Sequence, residues 1–229
     1  MPQKTLMSWS SGKDSAWALY TLQQNPDYEV VGLFCTVNKE YDRVAMHGVR
    51  VELLRQQASS IGLPLTLIEI PSPCTNAEYE AIMGGFVEQV KKDNIACFAF
   101  GDLFLEDIRH YREANLKGTG ITPVFPIWGM PTEALSREMV QGGLKAVITC
   151  VDPKQASADY AGALFDGKLL DALPDSIDPC GERGEFHSFV YDGPMFKEPV
   201  AITLGEVVTR DGFVFADVLP GVSGSSKPD

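Results

Sequence analysis

The chain of 229 residues is short of basic charge, of paired cysteines, of histidine and of long apolar runs. Its 19 Lys and Arg face 31 Asp and Glu, a formal net charge of −12. Nucleic acid and anionic membrane surfaces require a basic footprint, so neither is expected as a partner. The five cysteines (Cys35, Cys74, Cys97, Cys150 and Cys180) form no C-x-x-C pair, and an odd number suits a disulfide framework poorly. Three of them sit inside apolar runs (LFCTV, ACFAF, ITCV), where a reduced cysteine behaves as a small buried hydrophobe. That usage points to a reducing, cytoplasmic setting. With three histidines and no H-E-x-x-H pattern, a zinc site is not expected. No apolar run approaches membrane-spanning length, and Met1-Pro2-Gln3-Lys4 leads into the chain without a signal-peptide core. There is no internal repeat.

Apolar residues make up 45% of the chain, enough to build a packed core. The first half alternates strand-like and helix-like segments. Strands are expected at Thr5–Trp9, Glu29–Val37, Leu65–Ile70 and Ala96–Phe100. Helices are expected from about Asp14 to Gln24, across Arg43–Ile61 up to Gly62, through Tyr79, Ile82, Phe86 and Val90, and from Leu105 to Leu116. Alternation of this kind predicts an α/β fold, a doubly wound parallel sheet covered on both faces. Ligands bind such sheets at the carboxyl ends of the strands. A further helix at Thr132–Gly143 and a buried strand at Ala146–Val151 follow, and then the alternation stops. Glu185–Tyr191, Val200–Val208 and Phe213–Val218 read as strands, the last two joined at Arg210-Asp211-Gly212. The expected division is 1–128 for the α/β domain, 129–220 for a smaller α+β domain, and 221–229 for a Gly/Ser/Lys/Pro-rich flexible tail.

Ser10-Ser11-Gly12-Lys13-Asp14-Ser15 follows the first strand and opens a helix. Small residues let backbone pass close to a phosphate, and the free N–H groups at a helix start attract anions. The hydroxyls of Ser10 and Ser15 can donate to phosphate oxygens, and Asp14 can hold an accompanying Mg²⁺. The G-x-x-x-x-G-K-[ST] pattern of kinases and GTPases is absent. The hexapeptide instead resembles the S-G-G-x-D-S signature of the PP-loop ATP pyrophosphatases, with serine at position 11 standing where that signature has glycine.

Several segments downstream are similar to the diphthine–ammonia ligase family. They are His47-Gly48-Val49-Arg50, Gly101-Asp102-Leu103, and Arg109 with Glu113. The most specific is Asp178-Pro179-Cys180-Gly181-Glu182-Arg183-Gly184-Glu185-Phe186-His187 with Tyr191-Asp192-Gly193-Pro194 after it. The likeness runs from about residue 5 to 196. It implies a HUP-like PP-loop domain and a C-terminal domain closing the substrate cleft. It also implies an enzyme that adenylates a carboxylate with ATP, releases pyrophosphate and lets ammonia displace AMP. The chain departs from the family pattern at His187, Arg183, Cys180 and Asp102, all where the acyl substrate is expected, so ATP activation carries over more safely than diphthine.

On these grounds Asp14, Glu182, Glu185 and His187 are the candidate catalytic residues. Ser10, Ser11, Gly12, Lys13, Asp14, Ser15 and Gly101 are candidates for the nucleotide, with Cys35, Thr36 and Val37 offering backbone groups to adenine. His47, Asp102, Arg109, Glu113 and Gly184 are candidates for the acyl substrate, and Asp14 for Mg²⁺. Asp102, Glu106, Arg109 and Glu113 share one helical face, which reads equally as a polar cleft wall or a salt-bridged surface. His47 and His187 titrate near neutral pH when unperturbed. Cys180 reads as a quiet, semi-exposed thiol. The expected partners are ATP, Mg²⁺, a small or protein-borne carboxylate and ammonia, with a homodimer left open. Two rival readings are a PP-loop tRNA thiolase, which would want catalytic cysteines and a basic surface, and a nucleotide sensor without turnover.

Overall fold

The structure, a computed structural model, describes residues 1–38, 43–44 and 48–221. His47 and residues 222–229 of the expected tail lie outside the described residues. Five parallel strands form the first sheet: β1 (Gln3–Ser8), β2 (Tyr28–Asn38), β4 (Leu65–Ile70), β5 (Cys97–Ala99) and β6 (Thr122–Val124), in the order β4–β2–β1–β5–β6. A two-residue strand, β3 (Arg43–Val44), pairs antiparallel with the end of β2. Between the parallel strands run α1 (Lys13–Gln23), α2 (Val51–Ile61), α3 (Asn76–Lys92) and α4 (Glu106–Leu116). The strand order reverses between β1 and β5, so the crevice beyond their carboxyl ends is the topological switch point of the sheet.

Successive side chains of a strand face opposite ways, and β1 feeds both layers. Leu6 joins Phe34, Phe98, Phe86, Val87 and Val90 under α3. Met7 joins Leu33, Cys35, Leu19, Leu53 and Leu54 beneath α1 and α2. The α3 side is aromatic: the Phe34 ring lies 5.3, 4.8 and 6.5 Å from those of Phe86, Phe98 and Phe100. Local signals set the helix ends. Thr75 and Glu78 close a reciprocal capping box at the start of α3, and Gly62, at φ 82°, stops α2.

The later part of the chain adds α5 (Thr132–Gln141), β7 (Lys145–Val151), a 3₁₀ turn at Ala158–Tyr160, α6 (Gly167–Ala172), β8 (Phe186–Asp192), β9 (Ile202–Arg210) and β10 (Phe213–Pro220). Its four strands make an antiparallel sheet in the order β8–β7–β10–β9. Asp211 and Gly212 turn β9 into β10 with φ values of 51° and 85°, as a two-residue type I′ hairpin requires. The core on the α1/α2 side of the first sheet continues without interruption into this second sheet through Leu144, Val147, Phe189 and Val218.

Three elements differ from the periodicity. The helix expected across Arg43–Ile61 begins only at Val51, because Gly48 sits at φ 64°, outside the helical region, and Arg43–Val44 is a strand. β6 contains Pro123, which argues against an interior strand; β6 is tolerated because it lies at the sheet edge, paired on one side with β5. The six-residue α6 was too short to show a period, and the Asp166 carboxylate caps it by accepting from the Leu169 N–H at 2.9 Å.

The two sheets are tied by one buried amide. Gln57 of α2 is fully buried; its Nε2 donates to the carbonyls of Ser11 (3.1 Å) and Val190 (2.6 Å), and its Oε1 accepts from Trp9 Nε1 at 2.9 Å. Gln57→Leu keeps the volume and orphans the Trp9 N–H and the Val190 carbonyl. Each buried orphan costs about 1–3 kcal/mol, so a loss of about 3 kcal/mol is expected. It would be read as a lower urea midpoint at unchanged m.

Candidate active site

The turn from β1 into α1 lies at the switch point, and its Ser10, Gly12 and Ser15 groups bond to one another. The Ser10 and Ser15 hydroxyls are 3.0 Å apart, Ser15 Oγ donates to the Gly12 carbonyl at 3.0 Å, and the Gly12 N–H donates to Ser10 Oγ at 3.3 Å. Gly101, just past β5, packs against the start of α1. A Cβ there would stand 2.8 Å from both the Asp14 carbonyl carbon and the Ser15 nitrogen, so only glycine lets β5 approach the turn this closely. Strand β8 braces the other side: the Val190 N–H donates to the Ser11 carbonyl at 3.0 Å, and the Lys13 N–H to Ser188 Oγ at 3.2 Å.

Over this turn folds the segment from Asp178 to Glu185. The Asp178 Oδ1 accepts from the Cys180 N–H at 2.8 Å and its Oδ2 from Thr132 Oγ1 at 2.8 Å. Glu185 is 2% exposed, and both carboxylate oxygens accept 2.9 Å bonds from the amides of Asp178 and Arg183. Gly181 and Gly184 take φ values of 67° and 87°, and a Cβ on Gly181 would meet the Phe186 carbonyl at 2.7 Å. Two contacts fasten this roof to the first sheet. Glu182 Oε1 accepts from the Leu103 N–H at 2.9 Å, and the Lys13 ammonium donates to the Cys180 carbonyl.

Turn and roof enclose a chamber of about 260 Å³, lined by Ser10, Gly12, Asp14, Ser15, Gly101, Asp102, Arg112, Glu182, Gly184 and His187. It is contiguous with a larger cleft of about 1090 Å³ that runs past Trp9, Cys35 and Thr36 into the gap between α3 and α4. Asp102, Arg112, Glu182 and His187 line both.

The electrostatics follow from burial. Lys13 is 2% exposed; its ammonium lies 2.8 Å from Asp14 Oδ2 and over the rings of Phe165 (5.6 Å) and Phe186 (5.5 Å). Burial draws the Lys13 pKa down, but the Asp14 charge, helped by Cys180 and Glu182, outweighs it, and the ammonium stays charged. Burial pushes the Asp14 carboxyl up while Lys13 pulls against it. Glu182 is raised to about 7, first by burial, with Asp14 and Asp102 adding to it and the Leu103 N–H opposing. His187 is pushed down to about 4 by burial and then by the Lys13 charge, which makes it a neutral imidazole at neutral pH. Burial raises the Cys35 thiol to about 12 and the Cys150 thiol to about 11. Cys180, expected to be semi-exposed, is 1% exposed, and burial pushes its thiol up as well. All five cysteines are free, and the buried ones are held as unreactive thiols.

The structure therefore gathers Ser10, Gly12, Lys13, Asp14, Ser15, Gly101, Asp102, Glu182, Gly184 and His187 around one chamber, and Cys35 and Thr36 along the adjoining cleft. Others are placed elsewhere. Ser11, Val37 and Glu185 are buried behind the lining. Arg109 and Glu113 pair with each other at 2.8 Å on another flank of α4, where Arg109 stacks 5.0 Å from Phe125 and 4.8 Å from Trp128, and neither lines chamber or cleft. Arg112, which sequence reasoning passed over, takes the inner position, its guanidinium 4.7 Å from the Phe100 ring and 3.4 Å from Asp102 Oδ2. Its spacing from Asp102 does not match the four-three-four rhythm that drew attention to Arg109. Gln57 was also missed: an isolated glutamine on an amphipathic helix gives no signal of its own.

A doubly wound α/β sheet with a Ser/Gly turn at its switch point, roofed by a second antiparallel sheet, defines a two-part α/β protein. Comparison with known families narrows this. Residues 3–122 match the diphthamide synthase N-terminal domain and residues 131–215 the diphthamide synthase C-terminal domain. The chain belongs to the diphthamide synthase family. It is 26% identical over 198 residues to the diphthine–ammonia ligase of Bos taurus, covering 78% of this chain and 70% of that one. It is 28% identical over 134 residues to that of Rattus norvegicus (56% and 50%), and 26% over 167 residues to that of Homo sapiens (69% and 61%). The matched stretch thus spans between half and seven-tenths of the length of these relatives. Among the described residues no helix is long and apolar enough to cross a membrane.

Ser11 supplies a stability prediction. It sits at φ 69° with a fully buried hydroxyl that has no hydrogen-bond partner among the described residues. Left-handed backbone and an orphan hydroxyl each cost a serine about 1 kcal/mol or more, against up to about 1 kcal/mol of extra chain entropy for glycine. Ser11→Gly should stabilise by about 1 kcal/mol, raising the melting temperature by roughly 2–4 °C in a chain of this size. Thermal unfolding followed by circular dichroism checks it.

Proposed function

We propose that the protein is an ATP-dependent ligase that adenylates a carboxylate and amidates it with ammonia. The observation that carries this reading is the enclosed chamber at the switch point. Its anion-binding turn is roofed by a segment that brings Glu182, a carboxyl titrating near neutral pH, into the same space. Membership of a family whose relatives are named diphthine–ammonia ligase supports the reaction class. In this reading residues 1–128 bind the nucleotide, and 129–220 supply the roof that closes over the reacting carboxyl group.

The turn and the first amides of α1 hold the phosphates, with Lys13 at the chamber wall and Ser11 shaping the turn from behind. The ends of β2 at Cys35 and Thr36 face the adenosine, backed by Val37. The substrate carboxylate attacks the α-phosphorus; the new O–P bond forms as the bond to the bridging oxygen breaks, and pyrophosphate leaves. Ammonia then attacks the acyl carbon, AMP departs, and a proton is released from the nitrogen. Glu182, ionised above pH 7, accepts that proton. Neutral His187 offers a hydrogen bond without adding charge. Glu185 keeps the roof in shape through its two amide contacts.

The described residues gather no group of three or more metal ligands. Mg²⁺ would arrive on the nucleotide with the Asp14 carboxylate at hand, in keeping with an ion held by one or two carboxylates plus phosphate oxygens. Bound there, it would neutralise the charge that develops on the phosphates.

Incubation with Mg²⁺, α-labelled ATP, ammonium and a panel of carboxylates should yield AMP and pyrophosphate, and Asp14→Ala should abolish both. ADP and phosphate would overturn the ligase reading, and tight nucleotide binding without turnover across the panel would favour a sensor. Glu182→Gln should cut amide formation by about 100-fold or more while still releasing pyrophosphate. In the wild type, amidation per unprotonated ammonia should rise with pH through about 7 and then level off, because the base is the ionised form. The variant should lose that step.

A further inference from the structure

At about 1090 Å³ the large cleft exceeds the range of roughly 300–1,000 Å³ that usually accommodates one small molecule. A nucleoside beside Cys35 and Thr36 leaves the gap between α3 and α4 unfilled. That gap is walled by Tyr79, Met83 and Val87 on α3 and by Ile108 and Tyr111 on α4, over a floor of Phe98 and Phe100. Its wall also contains Gly84, in the middle of the 17-residue α3, where glycine weakens a helix. A Cβ at Gly84 would meet no atom within 4 Å, so close backbone packing does not account for the missing side chain. Gly84 is exposed, so the space it leaves is the open mouth of the gap, where a long side chain would stand in the way. Neighbouring Gly85 also has open space around it but does not line the cleft.

Charge narrows the occupant further. Arg112 is the one cation among the described residues lining this cleft, and it stands where cleft and phosphate chamber join. Its contact to Asp102 is long, 3.4 Å, and a planar guanidinium grips carboxylates in paired bonds. Along the rest of the lining the charged groups are acidic: Glu80, Glu88 (paired with Lys91 at 2.8 Å), Asp102 and Glu182.

We propose that the α3/α4 gap is the acyl pocket and takes a monocarboxylic acid with an apolar, uncharged body, its carboxylate drawn to Arg112 and its chain lying past Gly84. This rests on the ligase reading for its role in turnover, but the pocket itself is a binding site that can be tested alone. A second negative charge at the far end would meet the exposed carboxylates of Glu80 and Glu88 and is disfavoured.

The test is calorimetric titration of AMP-saturated protein with butanoate, hexanoate and octanoate, with suberate and octanamide as controls. Affinity should rise roughly fourfold for each added methylene, the yield of burying one CH₂. Suberate and octanamide should each bind at least tenfold more weakly than octanoate. Gly84→Leu, which should fold at least as well as the wild type, should lose octanoate binding by tenfold or more and keep AMP. Gly85→Leu should match the wild type within twofold. Arg112→Met should bind octanoate and octanamide alike. Affinity that is flat with chain length, suberate bound as well as octanoate, or octanoate binding intact in Gly84→Leu would each overturn the proposal. So would loss of AMP binding in Gly84→Leu, which would put the nucleoside in the gap. Splitting of ATP to ADP would end the ligase reading and leave these titrations unaffected, so the two failures are distinguishable.

Discussion

The carbonyl oxygen of Ser11 is the point on which the two halves of the molecule turn. It accepts from the Val190 N–H of the second sheet and from Gln57 of the first layer, inside a fully buried environment. A buried carbonyl cannot trade these partners for water, so the Ser/Gly turn and strand β8 hold a fixed relation. Everything above the chamber hangs from that relation. Because β8 is fixed, the segment leading into it is fixed too, and its Glu182 reaches Leu103 while its Cys180 carbonyl reaches Lys13. The core continues through both sheets for the same reason.

The chamber is acid-rich. Asp14, Asp102 and Glu182 share it with the two cations Lys13 and Arg112, and Lys13 is already committed to Asp14 and the roof. Burial first, and then this acidic surrounding, keep Glu182 near the pH where it can change protonation state. His187 and Cys180, the departures that stood out in the roof motif, both end up uncharged: burial holds the imidazole neutral and the thiol protonated. Neither adds charge to a chamber already crowded with it.

The α/β class was legible because β-branched runs and helical periods alternate cleanly up to residue 116. The Ser/Gly turn was legible because it follows the first of those runs. The roof motif could be found as a string, but not its division of labour. Glu182 and Glu185 are three residues apart in one segment, yet one faces the chamber and the other is spent bracing the loop. Arg109 and Arg112 differ in the same way.

By itself the sequence determined most of the strands and helices and where the Ser/Gly turn would sit, because those depend on periodicity and on the backbone freedom of residues near one another in the chain. Only the tertiary structure decided that Lys13 lies beneath the turn, that Arg112 and not Arg109 faces the ligand space, that Gln57 joins the sheets, and that Gly84 borders an open gap. Each of these depends on what stands opposite a side chain, contributed by segments 46 to 167 positions away in the case of Gln57 and Lys13. Desolvation and partner geometry belong to the folded chain and have no representation in local sequence.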